Sequence, residues 1–141
     1  MQYGALPYRF TPSGALELML VTSRETKRWI IPKGWPIKGR RPAKSAAIEA
    51  YEEAGVRGAI GAKSIGAFFY EKRMDSISPT VPCKVRVFPL NVTQQDAVWP
   101  EADQRRAQWF EPAAALDALA DAGIQQLISL FVATIASHPL K

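Results

Sequence analysis

The chain has few residues of the kinds on which nucleophilic and zinc-dependent sites are built. Its 141 residues include one cysteine, Cys83, and one histidine, His138. A single cysteine excludes an internal disulfide framework and fits a reducing cytoplasm, and its place in an alternating apolar run is typical of a core strand. His138 lies so near the end of the sequence that a Ser/His/Asp triad has no histidine in a packed element. We therefore expect no disulfide scaffold, no zinc cluster and no serine-type nucleophile.

Long apolar runs and nucleic-acid motifs are also missing. No uninterrupted apolar stretch approaches the roughly 20 residues of a membrane span, and no charged-then-apolar leader opens the sequence. These absences predict a cytoplasmic protein with no membrane contact. No glycine-lysine-serine/threonine loop opens a helix, and no aromatic-interleaved RNA-binding signature is present, which lowers but does not remove the case for a nucleic-acid partner.

Positive charge is absent from a long C-terminal stretch. The formal net charge is +5 and the sequence pI is about 9.6, yet Ala107 to Ser137 contains no lysine or arginine. Many of the cations are instead concentrated in one region: Arg24, Lys27, Arg28, Lys33, Lys38, Arg40, Arg41 and Lys44. Such a cluster favours a phosphate-rich ligand, and the alternative is a basic loop that only aids solubility.

An acidic helical turn follows this basic region. Glu49, Glu52 and Glu53 have the spacing i, i+3 and i+4, which places three carboxylates on one side of a helix that Pro42 can begin and Gly55 can end. Their mutual repulsion, at the negative end of the helix dipole, becomes favourable when Mg²⁺ or Mn²⁺ binds. The alternative is a solvated acidic face. Small residues are predicted to pack the opposite side against a sheet: Ala43, Ala47, Ala50 and Ala54.

The spacing of this segment resembles the Nudix box, G-x5-E-x7-R-E-U-x-E-E-x-G-U. Matching positions are Gly34, Glu49, Glu52, Glu53, Gly55 and Val56. With the sequences WIIPKG and QWF, the chain is most similar to the diphosphoinositol polyphosphate and diadenosine polyphosphate branch of the Nudix hydrolases. Two positions differ, because Arg40 replaces the first glutamate and Ile48 replaces the arginine before Glu49. In the family that arginine is thought to orient the glutamates, and Lys38, Arg40 and Lys44 are nearby cations that could substitute.

The resemblance implies metal-assisted hydrolysis of a phosphoanhydride in a diadenosine polyphosphate, inositol pyrophosphate or nucleoside diphosphate derivative. It implies that Mg²⁺ or Mn²⁺ is held by the three glutamates and the main-chain carbonyl of Lys33. By the same resemblance Glu53 is favoured as the base, with Glu49, Glu71 or Asp75 as alternatives. Candidate phosphate-binding side chains are Arg24, Arg28, Lys33, Lys38 and either Arg105 or Arg106. A polyphosphate-binding module without catalysis and an RNA 5′-end pyrophosphohydrolase remain alternatives.

The remaining pattern predicts a single domain over residues 1–141, with an α/β fold in which a mixed sheet lies between the acidic helix and a C-terminal helix. Predicted strands are Gln2–Phe10 as an edge or early strand, Leu16–Thr22, Trp29–Ile31, one or two strands within Val56–Glu71, Cys83–Val92 and Ala107–Phe110. Predicted loops are Lys33–Arg41, Lys72–Pro82 and Thr93–Arg106. Helices are expected at Pro42–Ala54, Pro112–Ala120 and Ile124–Ser137. The oligomeric state is left open.

Overall fold

A computed structural model describes residues 1–73, 77 and 79–137. Asp75 and His138, both named above, lie outside the described residues. The elements in chain order are β1 Gln2–Phe10, β2 Leu16–Thr22, β3 Trp29–Ile30, β4 Lys33–Gly34, α1 Pro42–Ala54, β5 Val56–Ile60, β6 Gly66–Arg73, β7 Thr80–Gln95, β8 Ala107–Phe110, α2 Pro112–Ala118 and α3 Ala122–Ser137.

The described strands form one mixed sheet. Its main path runs β3-β2-β1-β7-β5, while β4 pairs with β1, β6 with β7 and β8 with β2. Strand β1 runs parallel to β7, and the other pairs are antiparallel. Strand β1 therefore lies inside the sheet and is not an edge strand, which corrects one alternative of the sequence prediction. Its long buried run fits that central position.

Helices cover both faces of this sheet. On one face, α3 packs Leu127, Ile128 and Phe131 against residues of β1, β2, β6 and β7. On the other face, α1 packs its alanines against Met19 and Phe88. The α/β/α arrangement predicted from the sequence is confirmed.

The acidic helix has the predicted bounds but a slightly different buried side. Pro42 opens the helix, and Gly55 closes it with φ +73°, a left-handed conformation that glycine adopts without a Cβ penalty. The alanines that are completely buried are Ala46, Ala50 and Ala54. Ala43 and Ala47 are only half-buried, so the contact face is rotated by about one residue from the prediction. This rotation carries Glu53 to the border of the buried face.

Three predicted loops are partly strand. Lys33 and Gly34 pair with Gly4 and Tyr3 of β1, so the loop after Pro32 starts two residues later than predicted. Strand β7 is longer at both ends than Cys83–Val92, because residues 80–82 pair with the end of β6 and residues 94–95 pair with the start of β5. The C-terminal helices differ from the prediction by two residues at one end each. Among the described residues, no helix is both long and apolar enough to cross a membrane.

Candidate active site

The C-terminal half of α1 brings two carboxylates together beside β4. Glu53 is 2% exposed, whereas Glu49 is half-buried and lies against Gly34 of β4. A Cβ atom at residue 34 would come within 2.6 Å of both carboxylate oxygens of Glu49. The glycine at this position is therefore what makes room for the Glu49 carboxylate.

The electrostatics of this pair favour a cation. The pKa of Glu53 is raised to about 9, chiefly by burial; the attraction of Arg105 opposes the rise, and hydrogen bonding to and repulsion from Glu49 add to it. Burial also raises the pKa of Glu49, with repulsion from Glu52 and Glu101 adding to the effect. When one buried and one half-buried carboxyl group lie side by side, ionising both costs free energy unless a positive charge compensates. A divalent cation would supply that charge.

Glu52, the third predicted ligand, is close enough to raise the pKa of Glu49 but is not part of the buried pair. It lines a recess of about 280 Å³ on the outer side of α1, together with Ile48, Tyr51 and Pro100. Ile48, which replaces the arginine of the box, is half-buried in the same recess. The structure thus brings Glu49 and Glu53 into one pair and leaves Glu52 beside it.

The donor atoms of these residues decide whether they fit a divalent metal ion. Within the part of the chain that the structure describes, no group of three or more histidine, cysteine, aspartate or glutamate side chains is already gathered into a metal-binding cluster. Glu53 Oε1, however, is buried and has no hydrogen-bond partner among the described residues. A buried carboxylate oxygen without a hydrogen bond, beside a second carboxylate, is a donor set that Mg²⁺ and Mn²⁺ accept, so the residues fit such an ion.

A segment from Asp96 to Arg106 contacts the end of α1 next to the carboxylate pair. Its Glu101 adds a fourth carboxylate close enough to raise the pKa of Glu49. Its Arg105 places Nη1 3.8 Å from Glu53 Oε1 and donates from Nε to Glu101 Oε1 at 2.7 Å. The sequence prediction missed Glu101, and the only signal for it was the length of the polar stretch before β8.

Lys33 connects the carboxylate pair to a larger cavity. Its Nζ lies 4.7 Å from the centre of the Tyr70 ring, and burial lowers its pKa while attraction to Glu53 raises it. The Tyr70 hydroxyl donates to Gln2 Oε1 at 2.7 Å, which fixes the ring beneath the lysine. The cavity, of about 910 Å³, is bounded by Lys33, β3, β6 and the connection between α2 and α3.

The predicted phosphate-binding residues are not all gathered there. Arg28 and Lys33 line the cavity, and Lys72 joins them although the sequence did not single it out. Arg106 is exposed, with its guanidinium carbon 5.5 Å from the centre of the Trp29 ring. The structure does not bring Arg24 or Lys38 to the cavity wall, because Arg24 contacts Gln104 at 3.4 Å and Lys38 is exposed in the loop before α1.

One alternative base, Glu71, has a definite place, whereas Asp75 lies outside the described residues. Glu71 lies on the cavity rim, exposed to solvent, and accepts a hydrogen bond from Thr80 Oγ1 at 3.2 Å. It is therefore open to solvent, in contrast to the buried carboxyl group of Glu53.

Comparison with known proteins adds named relatives to this geometry. Nudix hydrolase 13, mitochondrial, of Arabidopsis thaliana is 25% identical over 150 residues, covering 96% of this chain and 74% of the relative. Diphosphoinositol polyphosphate phosphohydrolase 3-alpha of Mus musculus is 34% identical over 96 residues, covering 67% of this chain and 54% of the relative. The chain spans about half to three quarters of the length of the curated relatives it matches. No protein-family model matches it.

A solved structure shares the fold. The crystal structure of a C. elegans Ap4A hydrolase binary complex has a TM-score of 0.73 at 23% identity and covers 96% of this chain and 97% of that one. The curated relatives are named hydrolases of the same type, which confirms the family and the enzyme class predicted from the sequence. The chain belongs to the Nudix hydrolase superfamily.

Proposed function

We propose that the chain hydrolyses a phosphoanhydride bond in a polyphosphorylated small molecule with the help of Mg²⁺ or Mn²⁺. Nudix hydrolases generally use divalent metal ions. The observation that carries the proposal is the carboxylate pair of Glu49 and Glu53, in which Glu53 Oε1 is buried without a hydrogen bond. Glu53 is also close enough to Lys33, which lines the large cavity, to raise the pKa of that lysine. The carboxylates can bind the metal ion and the nearby cations can bind phosphate oxygens, which suits a metal-bound polyphosphate.

In this proposal Glu49 and Glu53 hold the ion, with the main-chain carbonyl of Lys33 and the carboxylate of Glu52 as further ligands. A bound divalent cation supplies charge neutralisation at the phosphate oxygens and a lower pKa for the attacking water. Water attacks phosphorus and forms a new P–O bond while the bridging P–O bond breaks, its electron pair leaving on the departing phosphate. The proton of the water passes to a carboxylate, for which we favour Glu53.

The cavity favours a ligand with phosphates at one end and an aromatic group at the other. Its wall carries as many acidic as basic side chains: Glu25, Glu71 and Asp121 against Arg28, Lys33 and Lys72. Trp29, Phe68 and Tyr70 supply aromatic surface. An inositol pyrophosphate, with phosphates around its whole ring, would need a more strongly basic wall. We therefore expect nucleoside and dinucleoside polyphosphates to be better substrates than inositol pyrophosphates.

Phosphate release decides among the activities. We would assay diadenosine polyphosphates, inositol pyrophosphates, nucleoside triphosphates, ADP-ribose and 5′-triphosphate RNA, each with Mg²⁺. The proposal expects the highest kcat/KM with a dinucleoside or nucleoside polyphosphate. Preference for the RNA would support the RNA 5′-end pyrophosphohydrolase, and binding without phosphate release would support the polyphosphate-binding module.

Thermal stability is expected to rise when Mg²⁺ is added, because the ion binds the folded carboxylate pair and has no comparable site in the unfolded chain. At an ion concentration one hundred times Kd the gain is about 2.7 kcal/mol, or roughly 10 °C in Tm for a chain of this size. Differential scanning fluorimetry with and without Mg²⁺ measures it. The double variant Glu49→Gln/Glu53→Gln should lose the response, and an unchanged wild-type Tm would indicate a solvated acidic face.

Lys72 is expected to bind the non-reacting phosphates. Removing its charge with Lys72→Gln should raise KM by about tenfold, because a charge-assisted hydrogen bond to phosphate contributes on the order of 1.5–3 kcal/mol. Steady-state kinetics measure this. Lys84→Gln is the matched control, since Lys84 is opposite Phe69 in the register of β6 and β7 and lies on the other face of the sheet from Lys72. Equal KM values for the two variants would remove Lys72 from the binding site.

Two further predictions from the sequence stay proposals. The cytoplasmic location is supported by the buried, unpaired Cys83, while the named relatives include mitochondrial and chloroplastic proteins. A single Nudix domain over residues 1–141 is supported by the one sheet that the described strands form. Fractionation of cells that produce the full-length protein tests the first, and limited proteolysis tests the second.

A further inference from the structure

The Asp96–Arg106 segment is attached to the C-terminal end of α1. Within it, the backbone N–H of Asp96 donates to the Gly55 carbonyl at 2.8 Å, and that of Glu101 donates to the Glu52 carbonyl at 3.0 Å. The indole N–H of Trp99 donates to the Glu53 carbonyl at 3.1 Å. Carbonyls at a helix end have no partner within the helix, so these bonds hold the turn that carries the carboxylates.

Arg105 reaches from this segment to the carboxylate pair. Its side chain is only 10% exposed. The guanidinium donates from Nε to Glu101 Oε1 at 2.7 Å and from Nη1 to the Thr22 carbonyl at 3.2 Å, and Nη1 lies 3.8 Å from Glu53 Oε1. The next residue, Arg106, exchanges hydrogen bonds with Thr22 through its N–H and its carbonyl. Because a planar guanidinium is fixed by acceptors on separate elements, it has one orientation relative to Glu53.

The other cations near the box do not take this place. Ile48 lies in the recess on the outer side of α1, and Lys38, Arg40 and Lys44 are exposed. None of these three cations forms an ion pair with Glu49 or Glu53 within the described part of the chain. The described ion pair that joins the carboxylate pair to a cation is the one with Arg105.

We propose that Arg105 is the positioning residue for the Glu49 and Glu53 carboxylates. It acts from the segment before β8 and supplies the positive charge that Ile48, in the helix, does not. The inference rests on the proposed function. At 3.8 Å the guanidinium offsets the charge of Glu53 while Oε1 keeps no hydrogen bond. That oxygen is therefore held in place and remains available to a divalent cation. Arg105 acts through Glu53 and does not itself contact the reacting phosphate.

The test compares Arg105→Gln and Arg105→Lys with Arg57→Gln. Arg57 is a suitable control, because it pairs with Asp96 of the same segment at 3.3 Å but lies outside the carboxylate site. Mn²⁺ binding is measured by electron paramagnetic resonance without substrate, and kcat and KM are measured on the best substrate of the wild type. Circular dichroism and Tm report whether each variant is folded.

We expect Arg105→Gln to weaken Mn²⁺ binding about tenfold and to lower kcat tenfold or more, with KM changed less than threefold. Arg105→Lys should lose about threefold in Mn²⁺ affinity, because an ammonium group keeps the charge but lacks the planar, forked set of N–H donors of a guanidinium. Arg57→Gln should match the wild type in both measurements. If Arg105→Gln is unfolded, the Mn²⁺ affinity and kcat of Arg105→Lys decide whether Arg105 positions the carboxylates.

Several outcomes would overturn the inference. Removing a positive charge beside two carboxylates would by itself strengthen metal binding, so a folded Arg105→Gln that binds Mn²⁺ as tightly as the wild type, or more tightly, contradicts a positioning role. If Arg57→Gln and Arg105→Gln lost Mn²⁺ affinity and kcat equally, the attachment of the Asp96–Arg106 segment to α1 would explain both losses, and Arg105 would have no separate positioning role. A wild type that releases no phosphate from any compound contradicts the proposed function instead, and the Mn²⁺ measurement then still decides the role of Arg105.

Discussion

Replacing Glu53 by glutamine is expected to lower kcat by about 10² or more and to leave the fold intact. The loss in rate follows because the amide can neither accept the proton of the attacking water nor hold a divalent cation as a carboxylate does. The fold should persist because glutamine has the same shape, and burial already favours the neutral form of Glu53. Steady-state kinetics with Mg²⁺ and a melting curve measure the two effects.

The same substitution makes a prediction about pH. The pKa of Glu53 is raised from 4.5 to about 9 in the folded chain. A group with a raised pKa contributes stability that is complete below its unfolded value and is lost as the pH rises through the folded value. Without divalent ions, the wild type should therefore lose stability between about pH 4.5 and 9, and Glu53→Gln should lose less. At pH 8 to 9 the variant should melt at the same temperature or higher.

Glu71→Gln is the control for the identity of the base. Glu71 lies at the cavity rim, exposed to solvent, so its replacement should change kcat only a few-fold. A Glu53→Gln variant with the wild-type rate would contradict the assignment of Glu53 as the base. If Glu71→Gln then showed the large loss, the base would be on β6.

The helix of the site could be predicted from the sequence because its signals are local. Pro42 and Gly55 mark its two ends by their own backbone preferences, and the structure has the predicted bounds. The alternation in β7 was equally local, with Val85 and Val87 on one face and Phe88 and Leu90 on the other. The placement of Glu49 and Glu53 on the same side of the helix followed from helical geometry alone.

The partners of these carboxylates could not be predicted in the same way. Arg105 is 52 residues beyond Glu53 in the sequence, and their contact depends on β7 and β8 placing the segment between them against α1. The ends of β7 were missed for a related reason, since residues 80–82 and 94–95 are exposed and only pairing with β6 and β5 makes them strand. Local patterns predict elements, whereas tertiary contacts decide which charges meet.

Gly34→Ala is expected to weaken metal binding and lower kcat, each by tenfold or more, with little effect on stability. The new methyl group would come within 2.6 Å of both carboxylate oxygens of Glu49. Those oxygens are at the end of a flexible side chain, so Glu49 can rotate away at small cost to the fold but loses its place beside Glu53. Mn²⁺ titration, kinetics and Tm of the purified variant measure the three quantities.

The matched control is Gly39→Ala, which should show the opposite result. Gly39 has φ +80°, where a Cβ atom is strained, but no atom lies within 4 Å of that position. Alanine there should cost about 1–2 kcal/mol of stability from backbone strain while metal affinity stays near that of the wild type. The comparison separates crowding of a carboxylate at β4 from backbone strain in the loop that follows β4. Wild-type Mn²⁺ affinity in Gly34→Ala would show that Glu49 need not lie against the box glycine to bind the ion, and its place in the metal site would have to be abandoned.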